Sequence, residues 1–173
     1  MSVTTQIALA FKDQYNIRFF VETGTFVGST CQWAARYFEE VYTIEASSDY
    51  VYRTSMRMRM DRIYDNVHFV RNRSEDCLGE VLTHVKGLAI IWLDAHWSSD
   101  LLYSKPSVVC PVLQEIKWIQ NDNRNHIIMV DDARLFGVEP QWPTRKEVFE
   151  ALSYKKRIVQ EIEDVLVSMP IFD

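Results

Sequence analysis

The sequence predicts an α/β protein whose strands form one doubly wound, mostly parallel sheet that ends in an antiparallel hairpin. Short apolar runs alternate along the chain with stretches of helical periodicity, as in sheets covered by helices on both faces. The run at 87–96 is apolar almost throughout, which is typical of a buried central strand. The last two runs, 156–163 and 164–171, are too close for a crossover helix and must therefore pair antiparallel.

The elements follow in order from local signals. Ile7, Phe11 and Tyr15 recur at helical spacing in the first predicted helix. Four later helices have a residue suited to a first turn: Ser29 or Thr30, Ser74, Pro111 and Thr144. The predicted helices cover 4–16, 29–40, 47–64, 74–85, 111–121 and 144–154. The predicted strands before the hairpin cover 17–24, 41–47, 66–72, 87–96 and 126–133.

Composition predicts an ordinary globular protein. With 173 residues, 47% of them hydrophobic and 25% charged, we expect a single domain covering 1–173. The net charge of −5 gives no reason to expect nucleic acid as a partner. No secretory signal and no apolar run long enough to span a membrane are present, and the three cysteines are far apart. We therefore expect a cytoplasmic protein with reduced thiols and no membrane partner.

The turn after the first strand is the first candidate for a ligand site. It reads Glu22-Thr23-Gly24-Thr25-Phe26-Val27-Gly28, with two glycines and a leading acid. A dinucleotide site has three glycines spaced GxGxxG, which this turn lacks. The Glu22 carboxylate would repel a diphosphate but suits a cation or an amino group. The ligand expected here therefore has a positive or zwitterionic end.

The second strand ends at Glu45, where an acid accepts hydrogen bonds from the two hydroxyls of a ribose. Adenosine with a cationic, amino-acid-like tail describes S-adenosylmethionine. The stretch "FVETGTFVGST", Glu45 in "YTIEAS" and the closing hairpin together resemble the class I S-adenosylmethionine-dependent methyltransferases over essentially the whole chain. The resemblance implies a Rossmann-like sheet of seven strands with the last one antiparallel.

The resemblance also implies where the cofactor lies. It would extend across the turn from Glu22 to Gly28, with its ribose on Glu45 and its adenine beside the loop after the third strand. The cofactor-binding residues expected on this basis are Glu22, Thr23, Gly24, Thr25, Phe26, Gly28, Ser29, Thr30, Glu45, Ala46, Ser74, Glu75 and Asp94.

Acids follow the fourth and fifth strands. Asp94 ends "IIWLDAHW", and Asp131 and Asp132 end "IIMVDDARLF". Because both strand ends meet at one edge of a parallel sheet, we expect these three carboxylates to converge. Carboxylates without a basic partner favour a divalent cation, and Mg²⁺ prefers oxygen ligands. An ion there could hold an acceptor hydroxyl and lower its pKa.

This pattern is similar to that of metal-dependent O-methyltransferases, namely the catechol and antibiotic-sugar enzymes, which have one Asp after strand four and an Asp-Asp or Asp-Asn pair after strand five. The resemblance implies that Asp94, Asp131 and Asp132 hold the metal. The catechol enzymes have a nearby lysine as base, whereas here His96 follows Asp94 and Lys105 lies further on. His96 is therefore the first candidate base and Lys105 the second.

Several alternatives remain open. The glycine turn could be plain architecture, Asp94 could cap the next element, the Asp131–Asp132 pair could be turn residues, and His96 could be a packed loop residue. Arg134 could bind an anionic substrate or pair with a neighbouring acid. The stretch from Trp97 to Cys110 is either a substrate-binding lid or a surface excursion.

At the level of function, the prediction is a methyltransferase acting on the oxygen of a small hydroxylated acceptor. One alternative is a domain that binds S-adenosylmethionine or adenosine without catalysis. Another is an NAD-dependent oxidoreductase, which the missing third glycine disfavours. The chain has no clear insertion to form a substrate cap, so a homodimer is one way to complete an acceptor pocket.

Overall fold

The structure, a computed structural model, describes residues 3–60, 65–97 and 107–171. Seven strands form a single sheet in the order β3-β2-β1-β4-β5-β7-β6. The strands are β1 (Phe19–Thr23), β2 (Glu40–Glu45), β3 (Val67–Arg71), β4 (Ala89–Leu93), β5 (Ile127–Val130), β6 (Arg157–Ile162) and β7 (Val165–Pro170). The first five are parallel, and β7 runs antiparallel to both β5 and β6.

Helices cover both faces of this sheet. They are α1 (Val3–Tyr15), α2 (Ser29–Ala34), α3 (Ser48–Met60), α4 (Ser74–His84), α5 (Val112–Asn121) and α6 (Arg145–Leu152), with a short 3-10 helix at Ala133–Leu135. None of these described helices is long and apolar enough to cross a membrane.

Neighbouring residues of one strand belong to two separate apolar cores. Val21 of β1 packs in the core beneath α4, α5 and α6, whereas Phe20 packs in the core beneath α1, α2 and α3. Every residue of β1, β4 and β5 is buried, because each of these strands is covered on both faces. The predicted doubly wound sheet with an antiparallel last strand is confirmed.

The start of α2 differs from the sequence prediction. The residue before the helix is Gly28, in the left-handed conformation and without a side-chain cap, so neither Ser29 nor Thr30 caps the helix. The helix also ends at Ala34, well before the predicted end near residue 40. The side-chain amide of Asn66 donates to the carbonyls of Ala35 and Phe38 and so stabilises the turn that replaces the last helical residues.

The start of α6 agrees with the prediction. The Thr144 hydroxyl accepts from the Glu147 backbone N–H at 3.2 Å, and the Glu147 carboxylate accepts from the Thr144 backbone N–H at 2.7 Å. This reciprocal capping box is the reason that the helix begins where it does.

Candidate active site

The turn after β1 is held against the end of β4. Gly24 has a φ of +82°, and a Cβ added to it would lie 2.5 Å from the backbone oxygen of Asp94. Its N–H donates to the carbonyl of Ile44 at 2.9 Å, which ties the same turn to β2. Gly24 therefore allows a close approach between two backbone segments of the protein, and it brings the glycine turn beside Asp94.

The second glycine of the turn packs against α3. Gly28 has a φ of +76°, and a Cβ there would lie 2.3 Å from the side-chain methyl carbon of Thr54. The Thr54 hydroxyl donates to the carbonyl of Phe26 at 3.0 Å, and the Arg57 guanidinium donates to the carbonyl of Val27. These contacts from α3 fix the backbone of the turn from its outer side.

Glu22 lies fully buried at the end of β1. It is 1% exposed, and its carboxyl group accepts a hydrogen bond of 2.5 Å from the Thr43 hydroxyl. Its pKa is raised to about 8, mainly by burial and also by the nearby acids Asp94 and Glu45. Hydrogen bonds from Thr43 and Thr30 partly oppose this increase. Glu22 is therefore largely neutral at pH 7, and a cationic group placed beside it would favour its ionised form.

Glu45, 6% exposed, connects the turns that follow β1 and β2. One carboxylate oxygen accepts from the backbone N–H of Phe26 at 2.9 Å, and the other accepts from that of Ser47 at 2.8 Å. Each oxygen keeps a second lone pair, so the carboxylate could still accept from a ribose. Ala46 lies exposed beside it. The sequence predicts a ligand contact at Glu45 but carries no signal for these two hydrogen bonds, which hold the turn in place.

The other residues expected to contact the cofactor line the same edge of the sheet. Thr25 is buried, and its hydroxyl lies 2.5 Å from that of Thr43. Phe26 is 48% exposed, and its ring lies 4.9 Å from that of Tyr50. Ser74 is buried in the first turn of α4, whereas the half-buried Glu75 pairs with Arg73. Ser29 is exposed and Thr30 half-buried.

His96 lies between the acids of β4 and β5. Its Nε2 is 3.0 Å from an Asp132 carboxylate oxygen and 3.8 Å from one of Asp94. Asp132 has a φ of +57°, and its backbone N–H donates to the Asp131 carboxylate at 2.8 Å. The structure thus brings His96, Asp94, Asp131 and Asp132 together. Lys105, the second candidate base, lies outside the described residues.

The pKa values within this cluster are shifted by neighbouring charges. Burial and, to a smaller extent, the charge of Asp131 together raise the pKa of Asp94 to about 7. Burial lowers the pKa of His96, but the hydrogen bond that its ring donates to Asp132 and the charges of Asp94 and Asp132 outweigh this effect and leave the pKa raised. The hydrogen bond to His96 in turn lowers the pKa of Asp132. The cluster therefore favours a proton on His96.

Among the residues that the structure describes, ligand atoms with metal-binding spacing occur in two overlapping groups. Atoms of Asp94, His96 and Asp132 lie within 4.8 Å of one another, and so do atoms of Asp131, Asp132 and Asp164. The sequence predicts a cluster of acids without a basic partner. In the structure His96 contacts two of these acids, and Arg134 pairs with Asp132 at 2.7 Å and also with Asp164. Of the two roles considered for Arg134, an anion-binding residue or the partner of a neighbouring acid, the structure shows the second.

A cavity opens next to these acids, with an empty volume of about 210 Å³. Its walls include Glu115 of α5 and Trp142, neither of which the sequence argument singled out. The Trp142 ring lies 5.0 Å from the His96 ring. Trp142 carries no local sequence signal. Glu115 does, because it shares the buried stripe of α5 with Val112, Ile116 and Ile119 at helical spacing.

No protein family model and no curated protein sequence matches the chain. Solved structures do match it. An O-methyltransferase from Bacillus cereus in complex with S-adenosylhomocysteine has a TM-score of 0.67 at 16% identity, covering 97% of this chain and 80% of that one. The chain has the class I methyltransferase fold. The O-methyltransferase TomG from Streptomyces achromogenes, in complex with S-adenosylmethionine, has a TM-score of 0.66 at 17% identity, covering 98% and 81%. The S-adenosylhomocysteine-bound methyltransferase PaMTH1 from Podospora anserina has a TM-score of 0.65 at 16% identity, covering 100% and 80%. At these identities the likeness establishes the fold, and the activity is argued separately.

Proposed function

We propose that this protein is an S-adenosylmethionine-dependent methyltransferase that methylates an oxygen of a small hydroxylated acceptor with the assistance of a divalent metal ion. One observation carries the proposal. His96, held by Asp132 at 3.0 Å, lies beside Asp94, against whose backbone the glycine turn packs. A candidate base and a candidate cofactor turn therefore meet at one edge of the sheet, where open α/β sheets bind their ligands.

The residues at this edge suit the cofactor. Glu22 would face its ammonium group, and Glu45 would accept from its ribose hydroxyls with the lone pairs left free by Phe26 and Ser47. Thr23, Thr25 and Phe26 would complete the turn around it, with Ser29 and Thr30 at the start of α2. Ala46 would lie beside the ribose, and Ser74 and Glu75 beside the adenine. The cofactor complexes among the matching structures support this choice.

His96 is the proposed general base. When bound, S-adenosylmethionine supplies a methyl group on a positively charged sulfur, which departs as a neutral thioether. Transfer of this methyl group to the acceptor oxygen, with cleavage of the carbon–sulfur bond, would release the hydroxyl proton, and His96 in its neutral form, which is present above its raised pKa, would take that proton. The carboxylates of Asp94 and Asp132 beside Nε2 stabilise the resulting imidazolium. Lys105 is the second candidate for this role.

Among the described residues, two of the three predicted metal ligands, Asp94 and Asp132, belong to one group with metal-binding spacing, and Asp131 belongs with Asp132 to the other. Asp94 and Asp132 offer oxygen atoms within 4.8 Å of each other, and Asp131 lies close enough to raise the pKa of Asp94. We propose that these three acids hold the ion, Mg²⁺ being the first choice for oxygen ligands. The bound ion would lower the pKa of an acceptor hydroxyl. Protonated His96 and Arg134 neutralise the same carboxylates, so metal binding and these ion pairs compete.

A turnover assay tests the proposal. The protein would be incubated with S-adenosylmethionine and a panel of catechols, sugars and amino alcohols, with Mg²⁺ or with a chelator, and formation of S-adenosylhomocysteine would be measured. We expect His96→Gln to lower the turnover rate about 100-fold or more. His84→Gln, which changes an exposed histidine of α4, is the matched control and should not lower it. Tight product binding without turnover of any acceptor would instead support a non-catalytic cofactor-binding domain.

A further inference from the structure

Glu115 is a buried acid whose carboxyl oxygens form no well-aligned hydrogen bond with the described part of the chain. It lies in α5 at 0% exposure, between Val112 and Ile116 on the apolar stripe of that helix. Neither of its carboxyl oxygens has a partner of good geometry among the described residues. The pKa of Glu115 is raised to about 7, mainly by burial. The hydroxyls of Ser74 and Thr23 lie close enough to oppose this increase. An unpartnered carboxyl group inside a protein is costly and calls for an explanation.

The side chain of Glu115 lines the cavity next to the proposed acceptor position. Asp94, Asp131 and His96 line the same cavity, so a molecule bound there would contact both Glu115 and the candidate base. The empty volume of about 210 Å³ includes the open mouth of the cavity, so the enclosed part is smaller and any occupant must be small.

Acids outnumber basic groups in this cavity. Among its described lining residues three are acids, Asp94, Asp131 and Glu115, and His96 is the one group that can carry a positive charge. An anionic group would be repelled by these carboxylates, whereas a cationic group would be attracted.

Aromatic rings line the same cavity. The Trp142 ring lies 5.0 Å from the ring of His96 and 5.3 Å from that of Phe136, and all three rings line the cavity. Ring faces attract ammonium groups, and the attraction is larger in a site shielded from water. Aromatic walls combined with an unpartnered carboxylate are therefore well suited to bind an organic ammonium ion.

We propose that this cavity binds an acceptor carrying a protonated amine, and that Glu115 receives the ammonium group as a specificity determinant. This inference rests on the proposed function, because the cavity is assigned to the acceptor. It narrows the acceptor class from hydroxylated molecules in general to small amino alcohols and other amine-bearing hydroxyl compounds, and it excludes carboxylate and phosphate acceptors.

Three fragments of equal size test the inference without any turnover. The binding of benzylammonium, benzyl alcohol and benzoate would be measured by protein-observed NMR titration at pH 8 in the presence of a chelator. We expect benzylammonium to bind at least tenfold more tightly than benzyl alcohol, and benzoate to bind more weakly than either. Glu115→Gln should reduce the ratio between the first two to about one, whereas Glu80→Gln, which removes an exposed charge of α4, should leave it unchanged.

The possible results separate this inference from the proposed function. Equal binding of benzylammonium and benzyl alcohol, undetectable benzylammonium binding, or an ammonium preference that survives in Glu115→Gln would overturn the inference. A parallel titration with S-adenosylhomocysteine reports on the cofactor site alone. Product binding without any ammonium preference would reject only the role of Glu115, whereas an ammonium preference without product binding would reject only the methyltransferase proposal. Thermal unfolding of Glu115→Gln would verify that the variant is folded.

Discussion

The imidazole Nε2 of His96 lies 3.0 Å from Asp132 and 3.8 Å from Asp94, although the two acids follow different strands. This arrangement gives His96 two negative neighbours and raises its pKa despite the burial of the ring. The ring of Trp142 lies 5.0 Å from the same imidazole, tilted by 51° to it, at the wall of the cavity. His96 therefore connects the acidic cluster with the space in which an acceptor would bind.

The first prediction concerns the pKa of His96. Asp132→Asn removes the main favourable partner of the imidazolium, so the pKa of His96 should fall. Asparagine tolerates the left-handed backbone at this position, so the fold should survive. NMR titration of the histidine ring signals in metal-free protein measures the effect. His126, whose pKa burial lowers to about 4 and whose charged neighbours are Asp122, Arg124 and Arg157, should titrate at the same value in both proteins. An unchanged His96 titration in the variant would show that Asp132 does not control it.

The second prediction concerns the close approach at Gly24. Gly24→Ala combines a left-handed backbone with a Cβ 2.5 Å from the Asp94 backbone oxygen, and should destabilise the protein by about 3 kcal/mol or more. Gly137→Ala is the matched control, because its φ is +79° and the nearest atom to its Cβ is 3.8 Å away. It should cost only about 1–2 kcal/mol, the price of the left-handed conformation. Urea unfolding measures both changes, and equal values would exclude the clash with Asp94.

The turn and the three acids could be predicted from the sequence because their signals are local. Glu22, Gly24, Glu45, Asp94 and Asp131 follow apolar strands, and parallel strands place such residues at one edge. The topology followed in the same way from the alternation of strands and helices and from the short final connection.

The rest of the site depends on contacts between distant segments. Nothing near Gly24 in the sequence indicates that it packs on Asp94, and nothing near Ala35 indicates that Asn66 will accommodate the early end of α2. Trp142 reaches His96 through a loop of irregular backbone. The acid in the buried stripe of α5, Glu115, could have been found from its helical spacing.

The third prediction concerns the pH dependence of stability. The pKa of Glu22 is raised from 4.5 to about 8, so between these pH values the folded protein holds a proton that the unfolded chain has lost. The stabilisation that results is fully present below pH 4.5 and is lost as the pH rises through 8. The free energy of unfolding falls by several kcal/mol in total over this range. The free energy of unfolding of Glu22→Gln relative to that of the wild type should therefore increase as the pH rises from 5 to 8. Urea unfolding at both pH values measures the difference, and parallel pH profiles would contradict a buried, neutral Glu22.

The fourth prediction concerns the metal site. If Asp94, Asp131 and Asp132 hold a divalent ion, Asp94→Asn should weaken Mn²⁺ binding about tenfold or more, because one of three carboxylate ligands loses its charge. Asp164→Asn changes the acid of the second group and should have a smaller effect. Electron paramagnetic resonance of free Mn²⁺ measures both affinities. A larger loss in Asp164→Asn would move the ion to the second group of acids.

The most direct measurement is a calorimetric titration of S-adenosylhomocysteine into the purified protein, with and without Mg²⁺. We predict micromolar binding to the wild type, no binding of NADH, and loss of product binding in Glu45→Ala, which removes both the ribose acceptor and the bond to the Phe26 backbone. Glu40→Ala, at the opposite end of the same strand, is the matched control and should bind normally. The absence of product binding to the wild type with and without Mg²⁺ would contradict the cofactor site, and the glycine turn would then serve the architecture of the sheet alone.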